Sequence, residues 1–189
     1  MVTRYDPIDG RIWGKAMTVT RRWLLLLAIV AWGLAPARAA EGLPLARDLQ
    51  QDGAEARARS AAVLVAFVSP RCPYCELALN EVLIPTSRNP EYQEKLVMRR
   101  VFTRGTQPMR DFNGRRITQR DFASQHGVFL VPTVILFDAD GTPLSKPMVG
   151  ITTVDQYSFD LDQAIAQAMA QLRSHLTAAP VQAAGDPHH

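Results

Sequence analysis

The chain has 189 residues, 47% hydrophobic and 21% charged, which is enough apolar material for a packed core and excludes a disordered polymer. Its formal net charge of +3 is uneven: residues 1–39 hold six of the 21 Lys/Arg and two of the 18 Asp/Glu, so from Ala40 onward 15 basic residues face 16 acidic ones, a net of −1. The remainder has no electrostatic case for binding nucleic acid, and no nucleic-acid partner is expected.

Residues 1–39 read as a secretory presequence. Arg21 and Arg22 supply a positive region, Trp23 to Ala35 an apolar run, and Ala37-Arg38-Ala39 a small-x-small cleavage site, with cleavage expected after Ala39. The apolar run is about a dozen residues, short of the ~20 that span a bilayer, so a cleaved signal is expected over an anchor. Met17 is an alternative start, and Thr20-Arg21-Arg22-Trp23-Leu24 faintly resembles a twin-arginine signal. Export predicts an oxidising compartment, where two cysteines form either a structural bridge or a working redox centre. A folded domain over 40–176 and a loose Ala/Pro/Gly/His tail over 177–189 complete the expected organisation.

Leu45 to Ser60, rich in Ala, Arg, Glu and Gln, predicts a surface helix weakened by Gly53. Ala61 to Val68 is a continuous apolar run of strand length, as in a strand buried on both faces. Pro73 to Ile84 predicts a helix with Leu77, Leu79, Val82 and Leu83 as core positions, stopped by Pro85. Asn89-Pro90-Glu91 signals a short helix to about Leu96, followed by a strand over Val97–Phe102. Residues 103–117 are expected to form a polar loop, and Thr118 caps a helix to His126 that ends at Gly127. Val134–Phe137 is a further strand, and Asp138-Ala139-Asp140-Gly141 a hairpin turn. The next strand, to about Val149-Gly150, carries Pro143 and Pro147 and is confined to a sheet edge. Val154 to Leu172 closes the fold as an amphipathic helix with Phe159, Leu161, Ile165, Met169 and Leu172 as apolar candidates.

The cysteines, Cys72 and Cys75, flank Pro73 and Tyr74 at the predicted strand-to-helix junction. A cysteine at a helix N-terminus meets unpaired N–H groups whose partial positive charge favours thiolate. Pro73 suits the first turn because its missing N–H has no partner to lose there. The second cysteine, one turn on, is placed to attack a mixed disulfide formed by the first. A three-residue spacing closes too small a loop to constrain the unfolded chain much, which argues against a purely stabilising bridge.

This order of elements, with Cys72-Pro73-Tyr74-Cys75 after the first core strand and Val131-Pro132-Thr133 before a later one, resembles the thioredoxin superfamily over roughly Leu45 to Leu172. It is most similar to exported SoxW-type thioredoxin-like proteins, through the presequence, Glu81-Val82-Leu83 and Asp111-Phe112-Asn113-Gly114. The resemblance implies a three-layer α/β fold, a central mixed sheet flanked by helices. It implies a periplasmic thiol–disulfide oxidoreductase, a monomer, with Cys72 as nucleophile and Cys75 as resolving thiol. It further implies a cis bond at Pro132, with Val131 and Pro132 contacting an extended substrate. No cofactor beyond the Cys72–Cys75 dithiol/disulfide is implied. The partners are a protein disulfide and a membrane thiol-electron donor. The sequence departs from the family at Ala66, where thioredoxins carry a buried acid that takes the proton of the second thiol; Glu76 is a candidate replacement. Arg71, in the place of a usual tryptophan, is a cation beside Cys72, and Tyr74 is a candidate rim contact.

Two alternatives stay open at this stage. One is a disulfide-forming oxidase of the same fold. The other is a non-enzymatic metal carrier or binding module using the two thiols with His126 or His175, although four-ligand spacing is lacking. Arg99, Arg100, Arg104, Arg110, Arg115, Arg116 and Arg120, balanced within their span by Asp111 alone, are a candidate docking stretch or a solvated face.

Overall fold

The computed structural model describes residues 42–178. The expected export segment and residues 179–189 of the expected tail lie outside the described residues. The elements are α1 (Leu49–Ala58), β1 (Ala62–Val68), α2 (Pro73–Ala78), a π-helical turn (Leu79–Leu83), α3 (Ile84–Arg88) and α4 (Pro90–Gln93). They continue with β2 (Leu96–Phe102), β3 (Pro108–Arg110), β4 (Arg116–Thr118), α5 (Gln119–Gln125), β5 (Thr133–Phe137), β6 (Met148–Val149) and α6 (Val154–Ala178).

The central sheet has the order β2-β1-β5-β6, with β1 parallel to β2 and antiparallel to β5, and β5 antiparallel to β6. Every residue of β1 is buried. Its two-residue period divides the core: Ala62, Leu64 and Ala66 join Ala78, Val82, Leu83, Leu161 and Ile165 on one face, while Val63, Val65 and Phe67 join Leu49, Ala56, Phe122 and Ala123 on the other. The result is helix, mixed sheet, helix: the three-layer architecture expected.

Several elements differ from expectation, each for a local reason. The first helix starts at Leu49 instead of Leu45, because the preceding segment pairs with β2: the Arg100 N–H donates to the Pro44 carbonyl (2.8 Å) and the Ala46 N–H to the Arg100 carbonyl (2.9 Å). Asp48 then caps α1, accepting from the Gln51 N–H at 3.0 Å. Gly53 is no weak point; a β-carbon there would run into the Ala139 carbonyl, so its lack of a side chain lets α1 approach the 138–141 turn.

Pro85 does not stop its helix. The π turn widens the backbone immediately before it, with the Ile84 N–H reaching the Leu79 carbonyl, and α3 continues to Arg88. A proline ring clashes with the carbonyl four residues back in a regular α-helix, and a wider turn removes that demand. Helix α4 ends at Gln93 instead of reaching Leu96. The 103–117 stretch is not a plain loop. It contains the β3–β4 hairpin, held by buried Asp111, whose carboxylate accepts from the Asn113 and Arg115 N–H groups and from Arg115 Nε. Leu77 is exposed, since the buried positions beside it are Cys75, Ala78, Val82 and Leu83. In α6 the inward face is Tyr157, Leu161, Ala164, Ile165 and Ala168, which places Phe159 on the outer side, 57% exposed.

Candidate active site

The candidate site is built at one end of β1. The strand ends at Val68, and a short turn delivers Cys72 to the N-cap of α2 with extended backbone (φ −109°, ψ 105°). Arg71 holds a left-handed conformation (φ 57°) that costs a non-glycine residue about 1 kcal/mol. Pro73 occupies the first turn, where no N–H is missed. The helical start then returns two N–H groups to Cys72: that of Cys75 to its Sγ at 3.2 Å and that of Glu76 to its carbonyl at 3.0 Å.

Cys72 and Cys75 are joined as a disulfide with Cα atoms 5.2 Å apart. They differ in access: Cys72 is half-buried, whereas Cys75 is 1% exposed. Tyr74 between them is 64% exposed, and Arg71, Pro73 and Glu76 are all exposed.

The second half of the site comes from the β5 end of the sheet. Antiparallel pairing sets Phe67 opposite Thr133, so the start of β5 lies at the same sheet end as the close of β1. Pro132, directly before Thr133, is buried, and the Val131–Pro132 bond is cis. Val131 is half-buried. The segment is pinned from two sides: the Gly150 N–H donates to the Pro132 carbonyl (2.7 Å), and the Thr133 hydroxyl to the Leu130 carbonyl (2.8 Å). Register therefore brings together residues about sixty positions apart in sequence.

Position 66 is a buried alanine, with Arg100 as its cross-strand partner. Arg100 lies over the Phe102 ring at 5.5 Å, and its buried Nε has no hydrogen-bond partner among the described residues. Two further features went unread in the sequence, Phe129 and Leu130. They precede Val131 and are 83% and 68% exposed. The apolar run 128–131 between Gly127 and Pro132 was the available signal, but such a run reads equally well as strand.

The residues considered for metal lie apart in role. His126 caps the C-terminus of α5 with its ring edge-on to Phe122 and Phe137, and burial pushes its pKa below the ordinary 6.5. His175 is exposed on α6. Among the described residues no group of three His, Cys, Asp or Glu side chains is arranged to hold a metal ion. Also among the described residues, no helix is long and apolar enough to cross a membrane.

A family model described as a thioredoxin-like domain matches residues 49–165. The chain belongs to the thioredoxin-like family. Solved thioredoxin-like structures similar to it include Trxlp from Edwardsiella tarda, 26% identical, covering 58% of this chain and 92% of that one with a TM-score of 0.41. Oxidised thioredoxin O2 from Arabidopsis thaliana is 19% identical, covering 64% and 91% with a TM-score of 0.42. The reduced periplasmic thioredoxin SoxS from Paracoccus pantotrophus is 21% identical, covering 57% and 98% with a TM-score of 0.40. No curated protein matches the chain. Within this thioredoxin-like domain, a CxxC disulfide occupies the junction of the central strand and the following helix.

Proposed function

We propose that the protein is a periplasmic thiol–disulfide oxidoreductase that reduces protein disulfides, with a Cys72/Cys75 dithiol as its only redox group. The observation that carries this reading is the asymmetry of the pair: one cysteine half-buried at a helix N-cap, the other 1% exposed one turn inside. The export segment read in the sequence supports the compartment.

In the reduced enzyme, the α2 N-terminus and the Cys75 N–H favour negative charge on the Cys72 sulfur, and the preceding residue, Arg71, is cationic. As thiolate it attacks one sulfur of a substrate disulfide, forming a mixed disulfide and expelling the other sulfur as a thiolate, which takes up a proton. Cys75 loses its proton and attacks the Cys72 sulfur. The substrate leaves as a dithiol, and the enzyme keeps the 72–75 bridge, two electrons having passed to the substrate. A membrane thiol donor then returns two electrons and two protons. With alanine at position 66, the proton of Cys75 leaves through water or through exposed Glu76. Val131 and Pro132 present backbone for an extended substrate segment to pair with.

Trapping tests the roles. Cys75→Ser is expected to accumulate covalent complexes with exported proteins, cleaved by reductant on a gel, and Cys72→Ser to accumulate none; equal trapping by both variants would remove the assignment. The direction is read from the equilibrium with glutathione: a potential near about −120 mV would make the protein an oxidase instead.

A further inference from the structure

We propose that Phe129 and Leu130 determine substrate choice, selecting extended polypeptide segments that carry a large apolar side chain beside the disulfide being reduced. The inference rests on the oxidoreductase reading and names the substrate class of that same site.

Phe129 and Leu130 are, at 83% and 68%, the two most exposed large apolar side chains among the described residues. Leaving such side chains in water forgoes the free energy of burial, and contiguous exposed apolar groups mark interaction surfaces. Their position gives the patch a purpose. They run directly into Val131–Pro132, and the Leu130 carbonyl is tied down by the Thr133 hydroxyl, so the backbone beneath them is held in place. Val149, also exposed, lies on the edge strand β6 and pairs with Thr133 of β5, and exposed Tyr74 lies inside the Cys72–Cys75 loop. The apolar side chains thus gather at the end of the sheet that holds the disulfide.

The occupant follows from the backbone. Among the described residues no hydrogen bond engages the N–H or the carbonyl of Val131, so one donor and one acceptor stand free beside the apolar pair. A short extended segment satisfies both and sets alternate side chains toward the apolar pair. A folded partner or a second copy of this chain needs roughly 800 Å² on each side for a stable interface, far more than these few side chains offer. A short segment needs only one well-filled apolar contact next to its sulfur.

The test is a single-turnover assay with the pre-reduced full chain and two disulfide-bridged peptides, identical except for Leu or Ser next to one cysteine. The wild-type protein is expected to reduce the leucine peptide at least about tenfold faster, the discrimination a lost apolar contact commonly produces. Phe129→Ser combined with Leu130→Ser is expected to bring the ratio near one. Phe159→Ser, removing an exposed apolar side chain on α6, is expected to keep it. Equal wild-type rates, or a ratio retained in the double variant, would overturn the proposal. So would a dimer in sedimentation, or binding to anionic phospholipid vesicles, that the double variant abolishes, because either gives the patch a different occupant. If neither peptide nor a small aromatic disulfide oxidises the dithiol, the redox reading itself fails. If the aromatic disulfide reacts and the peptides show no preference, only the present inference fails.

Discussion

At the scale of single residues, the candidate site depends on where each atom meets water. Cys72 and Cys75 carry the same side chain, and place in the fold separates them: Cys72 is half-buried at the N-cap, where its Sγ accepts the Cys75 N–H, and Cys75 is 1% exposed. His126 obeys the same rule. Half-buried against Phe122 and Phe137, its ring favours the neutral form and its pKa falls below 6.5. Between the lowered native value and the unfolded one, the unfolded chain binds more protons, so stability rises with pH across that window. The contribution is therefore fully present above about 6.5 and is lost as pH falls through the native pKa. Urea midpoints measured from pH 7.5 to 5 are expected to drop less steeply in His126→Gln than in wild type; parallel curves would show that the ring is not the titrating group.

At the scale of elements, local signals and tertiary demands are separable. Asn89 and Thr118 act as caps where their sequences say so, the latter in a full capping box with Asp121. Gly53 and Pro85 break the local rules: the 138–141 turn explains the first, and the π turn just before Pro85 explains the second. Gly53→Ala should add up to about 1 kcal/mol of helix propensity. The new methyl group meets the Ala139 carbonyl, however, and overpacking of that kind costs about 1–3 kcal/mol. The variant is expected to melt at a lower temperature than wild type, and a raised Tm would show that α1 and the 138–141 turn move apart freely. The β3–β4 hairpin teaches the same lesson. Its strands of three residues are too short to carry a periodic pattern, and the turn is organised by the buried Asp111 carboxylate.

At the scale of the whole molecule, the arginine-rich span from Arg99 to Arg120 changes meaning once folded. In sequence only Asp111 balances it, whereas in the fold Arg99 meets Asp52 of α1 (2.7 Å) and Arg110 meets Asp48 (3.5 Å). Burial pushes the Asp52 carboxyl upward, and the Arg99 guanidinium works against that shift. Asp52→Ala leaves Arg99 partly buried with its two charge-assisted bonds gone, an expected loss of about 1–3 kcal/mol in chemical denaturation. Replacing both partners with leucine should cost less than the single change, because no uncompensated charge remains. A single variant as stable as wild type would mean that water replaces the pair at no cost.

The sequence by itself determined the buried central strand, the caps and the cysteine pair at a strand-to-helix junction, because each is written in residues within a few positions of one another; the three-layer class came from the order of elements along the domain and the family resemblance it carries. Only the tertiary structure decided which cysteine is enclosed, that Val131 and Pro132 share a sheet end with the pair, that Phe129 and Leu130 stay in water, and which acids answer the arginines. Those outcomes depend on strand register and on packing between segments tens of residues apart, and local periodicity carries no record of which distant segment will be the neighbour.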